Sequence, residues 1–294
     1  MAEEPVHSVS VDCECPSEEM EIRQGDILIQ YSIGRPVPSK LHAVINADCD
    51  LAQDKTGGHI AMLKIVPFRE YVRVNWAQRK LKRSLDRKID QLASSIEKGR
   101  VQKDPAVLPI SREALVDWLK KATSLEIAKS VYDDDGPKLR LHKLVEGTKL
   151  AMECAEDMAS DPFSRLARMR CVETGGASQT EIAKLTQSAA QELARLPDDV
   201  FFIAEIPGIQ GMGHAVLLRS MVTADLACVT TKFSDAKMLL PEAHCRIARL
   251  KPAYKYGLAQ QFSLMYARIG LPDDHSAAHH LVLETLSSTL DEKK

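Results

Sequence analysis

A chain of 294 residues, 45% of them hydrophobic, can bury the core of one large domain or two modest ones. Its formal charge of −2 excludes a whole-molecule field that would draw it to nucleic acid or membrane, so attraction of that kind must come from local patches. No window offers the roughly 18 uninterrupted apolar residues of a membrane span, and the opening Met1-Ala2-Glu3-Glu4 lacks the order of a secretory signal, which implies a cytoplasmic protein.

Residues 1–20 are acidic and turn-rich and read as a loose leader. Three short apolar runs follow, Ile27-Leu28-Ile29, His42-Ala43-Val44-Ile45 and Ile60-Ala61-Met62-Leu63, separated by turn residues including Pro36 and Pro38, and they predict strands up to about Val74. From Trp76 the period becomes helical: Leu81, Leu85, Ile89, Leu92 and Ile96 share a stripe that Gly99 is expected to stop. Further helices are expected over Ser111–Ser130, Leu139–Ala159 and Gln179–Leu196, with Pro197 closing the last. Strand patterns then return at Val200–Ile206, Gly213–Arg219 and His244–Leu250. Pro252 opens a helix whose Leu258, Phe262, Tyr266 and Ile269 lie on one face, ended by Gly270-Leu271-Pro272.

Strands, helices and strands again predict an α+β fold: one antiparallel β-barrel interrupted by a mainly helical insertion and followed by C-terminal helices. The expected divisions are a leader at 1–20, barrel strands at 21–74, the insertion at 75–197, the remaining strands at 198–250 and packing helices at 251–294. Neither set of strands has enough core to be stable alone.

The seven cysteines are scattered with no C-x-x-C, so no disulfide framework, structural zinc or other cofactor is expected. Cys13-Glu14-Cys15 has the wrong spacing for a zinc knuckle, and His279 and His280 lie in a helical tail without a partner nearby in sequence. Asp48 and Asp50 flank Cys49 at the end of the second strand run. On a continuing strand both carboxylates would share a face, where they could hold a divalent cation or a proton. The alternative is a turn cap, with Cys49 packed inward. A nucleophilic Cys49 would need His42 or His214 as its base. Gly208–Gly213 follows a strand without opening a helix and reads as a hairpin connection, not a phosphate loop. Thr180–Leu185 lacks the turn of a helix-turn-helix.

Residues 73–103 depart most from the average charge. They carry Arg73, Arg79, Lys80, Lys82, Arg83, Arg87, Lys88, Lys98, Arg100 and Lys103 against Asp86, Asp90 and Glu97. At 100° per residue Arg79, Arg83 and Arg87 form a row opposite the apolar stripe. With Lys80 they are the candidate surface for a protein partner or nucleic acid; a plain solvated face is the other reading.

Gly25-Asp26-Ile27-Leu28-Ile29, the proline turn, His42-Ala43-Val44-Ile45 and Ile65-Val66-Pro67 resemble the opening of the MazF/PemK-like family, which implies an SH3-like barrel. The run Val44–Ala52, with Arg246-Ile247-Ala248-Arg249-Leu250, Leu258–Phe262 and Arg268–Pro272, more closely resembles uncharacterised bacterial proteins of phage-defence or mobile-element gene neighbourhoods. The ribonucleases of the first family use a basic residue near the second strand, matched here by Lys40, and a hydroxyl after the third, where Pro67-Phe68-Arg69-Glu70 stands instead. The leading expectation is therefore a non-enzymatic adaptor acting beside a larger effector in bacterial antiviral defence. The alternatives are a divergent or metal-dependent nuclease using Asp48 and Asp50, and a regulator that binds nucleic acid without cutting it.

Overall fold

The computed structural model describes residues 10–32, 35–211, 213–238 and 242–267, leaving aside the side chains of 38 and 39. In chain order the elements are β1 (Cys13–Glu14), β2 (Asp26–Ser32), β3 (Arg35–Val44), α1 (Asp48–Ala52), β4 (His59–Pro67) and α2 (Phe68–Tyr71), which runs through one π turn into α3 (Ala77–Lys103). Next come α4 (Arg112–Lys121), α5 (Ser124–Val131), α6 (Asp135–Glu156), α7 (Pro162–Thr174) and α8 (Ser178–Leu193). The last are β5 (Val200–Ile203), β6 (His214–Asp225), a 3-10 turn (Leu226–Cys228), β7 (Val229–Thr230), α9 (Phe233–Met238), β8 (Glu242–Leu250) and α10 (Pro252–Ala267). The chain divides into two compact units, Met1–Val66 with Pro197–Lys294, and Pro67–Leu196.

The first unit is built on one sheet, in the order β1-β8-β2-β3-β4-β6-β5, with β7 added parallel to β8. β1 with β8, β8 with β2, β2 with β3, β3 with β4 and β6 with β5 all pair antiparallel. β1 and β5 stand at its two ends without pairing to each other, so the sheet is open and the expected closed barrel is corrected. Both end strands are too short to form a closing ladder. Side chains bridge the ends instead: Ser10 Oγ donates to the Glu205 carbonyl at 2.9 Å, and the Ala204 N–H donates to Asp12. The alternation of β2 sends Ile27, Ile29 and Tyr31 into the main core with Leu41, Ala43, Leu63, Ile65, Val216, Leu218, Cys245 and Ala248. Leu28, Val44, Ile60 and Met62 form a smaller cluster elsewhere in this unit.

Gly25 explains the Gly-Asp opening of β2. Its φ of +82° is a glycine conformation, and an added Cβ would meet Lys255 at 3.0 Å. Asp26 is fully buried, accepts from Arg249 Nη2 at 3.1 Å and lies 3.5 Å from Arg246. Those two arginines also donate to the carbonyls of Ser17, Met20 and Glu21. The expectation of a loose leader is therefore wrong for residues 10–20: Ser10, Asp12 and Cys13 are buried and β1 pairs with β8.

The second unit is helical, and the strand region stops at Pro67 rather than Val74. The stripe on α3 is as expected, with Leu81, Ile89, Leu92 and Ile96 buried and Leu85 half-buried. Gly99 does not stop that helix. It lies inside it, buried, where a Cβ would clash with Val131 Cγ1 and come within 2.7 Å of Tyr132. The helix expected over 111–130 is two, because Thr123 breaks the run and caps α5 with a reciprocal capping box to Glu126. An unexpected helix, α7, starts on the Asp161 side chain with Pro162 in its first turn. α8 ends at Leu193. Buried Arg165 fastens α7 by donating to the last-turn carbonyls of α6 at Cys154 and Ala155 and to Gln78 on α3.

α10 buries Leu258 and Met265, and Phe262 packs edge-on against Tyr266. Arg268, Ile269, Gly270-Leu271-Pro272 and the tail with His279 and His280 lie outside the described residues.

Candidate functional site

The basic row on α3 does not behave as one unit. Arg79 is half-buried, donates to the Tyr71 hydroxyl at 3.0 Å and has its guanidinium 5.7 Å from that ring's centroid. Lys80 pairs with Glu192 of α8 and lies 5.8 Å over the Trp76 ring, whose Nε1 donates to the same carboxylate. These two candidates are engaged inside the helical unit. Burial pushes the Glu192 carboxyl up, but Lys80, Trp76 and Ser188 outweigh it and hold it below the usual carboxylate range.

Arg83 and Arg87 are exposed, and neither is ion-paired among the described residues. They form a ridge with a depression on each side. One, of about 470 Å3, has Leu166, Met169 and Leu185 in its wall, and Ser84, Lys88, Arg170 and Ser188 also face it. The other, of about 740 Å3, is bordered by Gln91, Ser94, Ser95 and Lys98. The acids beside the ridge are already taken: Glu173 holds Lys88 at 2.6 Å, and Arg112 spans Asp86 and Asp90. What remains is a pair of guanidinium forks one helical turn apart, suited to bidentate capture of carboxylate or phosphate oxygens beside apolar surface. The sequence reading misses Arg170, Leu166 and Met169 because they lie on α7; Asp161-Pro162 is the signal that could have revealed that helix.

Asp48 and Asp50 are not on a strand. α1 is a single turn of helix, so residues two apart point about 200° away from each other around its axis. Asp48 accepts from the Gln24 N–H and from Lys255 Nζ, both at 2.8 Å. Partial burial raises its pKa, but those bonds prevail and hold it below the ordinary value. The reading in which both carboxylates share a face is thus corrected. Cys49 is not packed inward either: its thiol is exposed, 3.7 Å from Asp50 Oδ1, and neither His42 nor His214 hydrogen-bonds to it. Among the described residues no three His, Cys, Asp or Glu side chains converge on a metal position. Asp48 and Cys49 edge a cleft of about 690 Å3 with Ile22, Leu51, Leu226 and Val229. Burial, with Asp12 adding to it, pushes the Cys13 thiol up to about 12, and burial takes Cys245 up to about 11, so both are inert packing groups at neutral pH.

His42 meets a different partner from the Cys49 considered in the sequence. Its ring stands 5.6 Å from that of His244, centroid to centroid, at an interplanar angle of 63°. No helix among the described residues is long and apolar enough to cross a membrane.

Comparison with protein-family models, with curated proteins and with solved structures found no match.

Proposed function

We propose that this chain is a non-enzymatic binding protein, an adaptor that receives an acidic segment of a larger effector along the α3 ridge. One observation carries the reading: Arg83 and Arg87 stay exposed and unpaired among the described residues, while Arg79, Lys80 and Lys88 beside them are engaged. A polar surface with no task normally intersperses both signs. Two guanidinium groups left available beside an apolar wall suit an amphipathic partner helix, with carboxylates one turn apart and apolar residues between them. The apolar wall of Leu166, Met169 and Leu185 favours such a segment, which has apolar side chains to lay against it, over a nucleic-acid backbone, which has none. In this proposal the effector belongs to bacterial antiviral defence, as the sequence resemblance implies.

The test uses the full chain and two labelled probes of equal net charge, an amphipathic helical peptide with Glu at i, i+4 spacing and a single-stranded oligonucleotide. The peptide should bind the more tightly, and Arg83→Gln with Arg87→Gln should weaken it about tenfold and flatten its salt dependence. Preference for the oligonucleotide would replace this reading with that of a nucleic-acid regulator. Cleavage of the oligonucleotide that Asp48→Asn abolishes would replace it with the nuclease.

A further inference from the structure

Gln30, His42 and His244 share one face of the sheet with Arg246, which Asp26 and main-chain carbonyls already hold, and the two imidazoles each keep a ring nitrogen with no partner among the described residues. Register places His42 of β3 beside Leu28 of β2, and His244 of β8 beside Gln30, two residues further along the same strand. Directly paired residues project to the same side, so Gln30, His42 and His244 stand together on the face away from the main core. They are 6%, 8% and 7% exposed. Neither imidazole Nδ1 finds a hydrogen-bond partner among the described residues, although each is fully buried. Buried polar atoms are normally satisfied, and two unsatisfied imidazoles converging in one place beside a buried amide signal something that binds there.

The flanking charges state the sign of that ligand. Lys64 of β4 lies opposite His42, Lys40 lies two residues from it on β3, and both act on its ring. Lys40 also acts on His244, and Glu242, two residues before His244 on β8, is the acid that opposes it. Two ammonium groups beside two imidazoles oppose a divalent cation and favour an anion. Imidazole N–H, amide N–H and ammonium groups all donate, which is the complement of an oxyanion.

We propose that Gln30, His42 and His244, with Lys40 and Lys64 at the rim, form a binding site for a dianionic oxyanion, either inorganic phosphate or a small phosphate monoester. This site lies on the sheet unit and is independent of the α3 ridge. Occupancy and proton uptake are coupled there. Burial, then His244, Lys64 and Lys40, hold His42 down to about 4, and burial holds His244 below its ordinary range. A bound dianion reverses the balance and favours imidazolium, so the site takes up a proton as it fills.

The experiment follows the histidine ring protons of the full chain by NMR from pH 7.5 to 3.5 with sulfate, which keeps its charge across that range, and then with phosphate and a nucleoside monophosphate. Millimolar sulfate should shift two histidine resonances and raise each midpoint by about one pH unit, which makes sulfate binding about tenfold tighter for each proton taken up. His244→Gln should remove one of the two shifted resonances and weaken the coupling that remains at His42. Lys64→Gln, an exposed change that leaves both imidazoles in place, should weaken the affinity severalfold and keep the coupling. Tighter binding of the monoester identifies an esterified ligand, and equal binding identifies the free anion. Silence at tens of millimolar sulfate, an unchanged response in His244→Gln, or binding of a singly charged phosphodiester as tight as that of the monoester would each overturn the proposal.

Discussion

In the sheet unit the strongest ion pair is sealed inside: Asp26 is fully buried against Arg249 and Arg246, and all three hold main chain in place. In the helical unit the opposite arrangement prevails. Arg83 and Arg87 face water, and the neighbouring Lys80 and Lys88 are paired at half-exposed positions. A buried pair has spent its electrostatic energy on the fold and resists the loss of either member. Exposed, unpaired guanidinium groups add almost nothing to the fold and keep that energy for another molecule. Charge alone is therefore a poor guide to function; whether a group elsewhere in the chain already holds it is the better one.

The sharpest break in this comparison is Asp26→Ala. It leaves two buried guanidinium groups without their carboxylate and should cost about 3–5 kcal/mol, read as a shift of the sheet unit's denaturant midpoint. A loss below about 1 kcal/mol would show that Arg246 and Arg249 are held well enough by carbonyls alone.

Acid should come next. A base whose folded pKa lies below its unfolded value contributes stability that is complete above the unfolded pKa and is lost as pH falls through it. For His42, held down to about 4 from 6.5, that window is pH 6.5 to 4, and the loss should approach about 3 kcal/mol in anion-free buffer. His42→Gln should remove most of that slope; a slope unaffected by the substitution would assign the acid sensitivity elsewhere.

Gly99→Ala should destabilise by about 1–3 kcal/mol, because the new methyl meets Val131 and Tyr132 at clashing distance and this outweighs the better helix propensity of alanine. If thermal unfolding shows stabilisation instead, α5 can move away from α3. Thr123→Ala should cost about 1 kcal/mol by removing the cap of α5, measurable in the same experiment. At the other end of the scale, Arg83→Gln and Arg87→Gln should each alter stability by no more than about 0.5 kcal/mol. Unfolding there would mean that the ridge supports the fold as strongly as Asp26 does.

What can be read in the sequence follows the range of the interaction responsible. α3 is legible because Leu81, Ile89, Leu92 and Ile96 recur with the period of one helix and need no other segment to reveal them. The Thr123–Glu126 box and Asp161-Pro162 are equally local, and weight given to them separates α4 from α5 and discloses α7. Gly99 misleads because a glycine that ends a helix and one that admits a neighbouring helix look alike until the neighbour is placed. The β2, β3, β4 and β8 runs stand out by their apolar character, yet an open sheet cannot be told from a closed one without knowing which strands stand at the ends. At the sites the separation is larger still. The partner of Asp48 lies 207 residues away at Lys255, and His244 is brought to His42 only by β2 lying between their strands. Periodicity finds the row of Arg79, Arg83 and Arg87, but its division into one engaged and two available members depends on Tyr71 and on where the neighbouring carboxylates have already found their cations.

The bond from Arg246 to the Ser17 carbonyl spans 229 residues, and it has a consequence for the order of events on the ribosome. β1 to β4 emerge first but cannot complete their sheet until β8 follows, while the helical unit is one continuous stretch able to fold on emergence. At about 5–20 residues per second, the early strands wait roughly ten to forty seconds with their edges unpaired. Over that interval the nascent chain is most open to misassembly with its neighbours. Synonymous changes that slow translation between codons 67 and 250 should therefore lower the yield of native protein without altering a single residue.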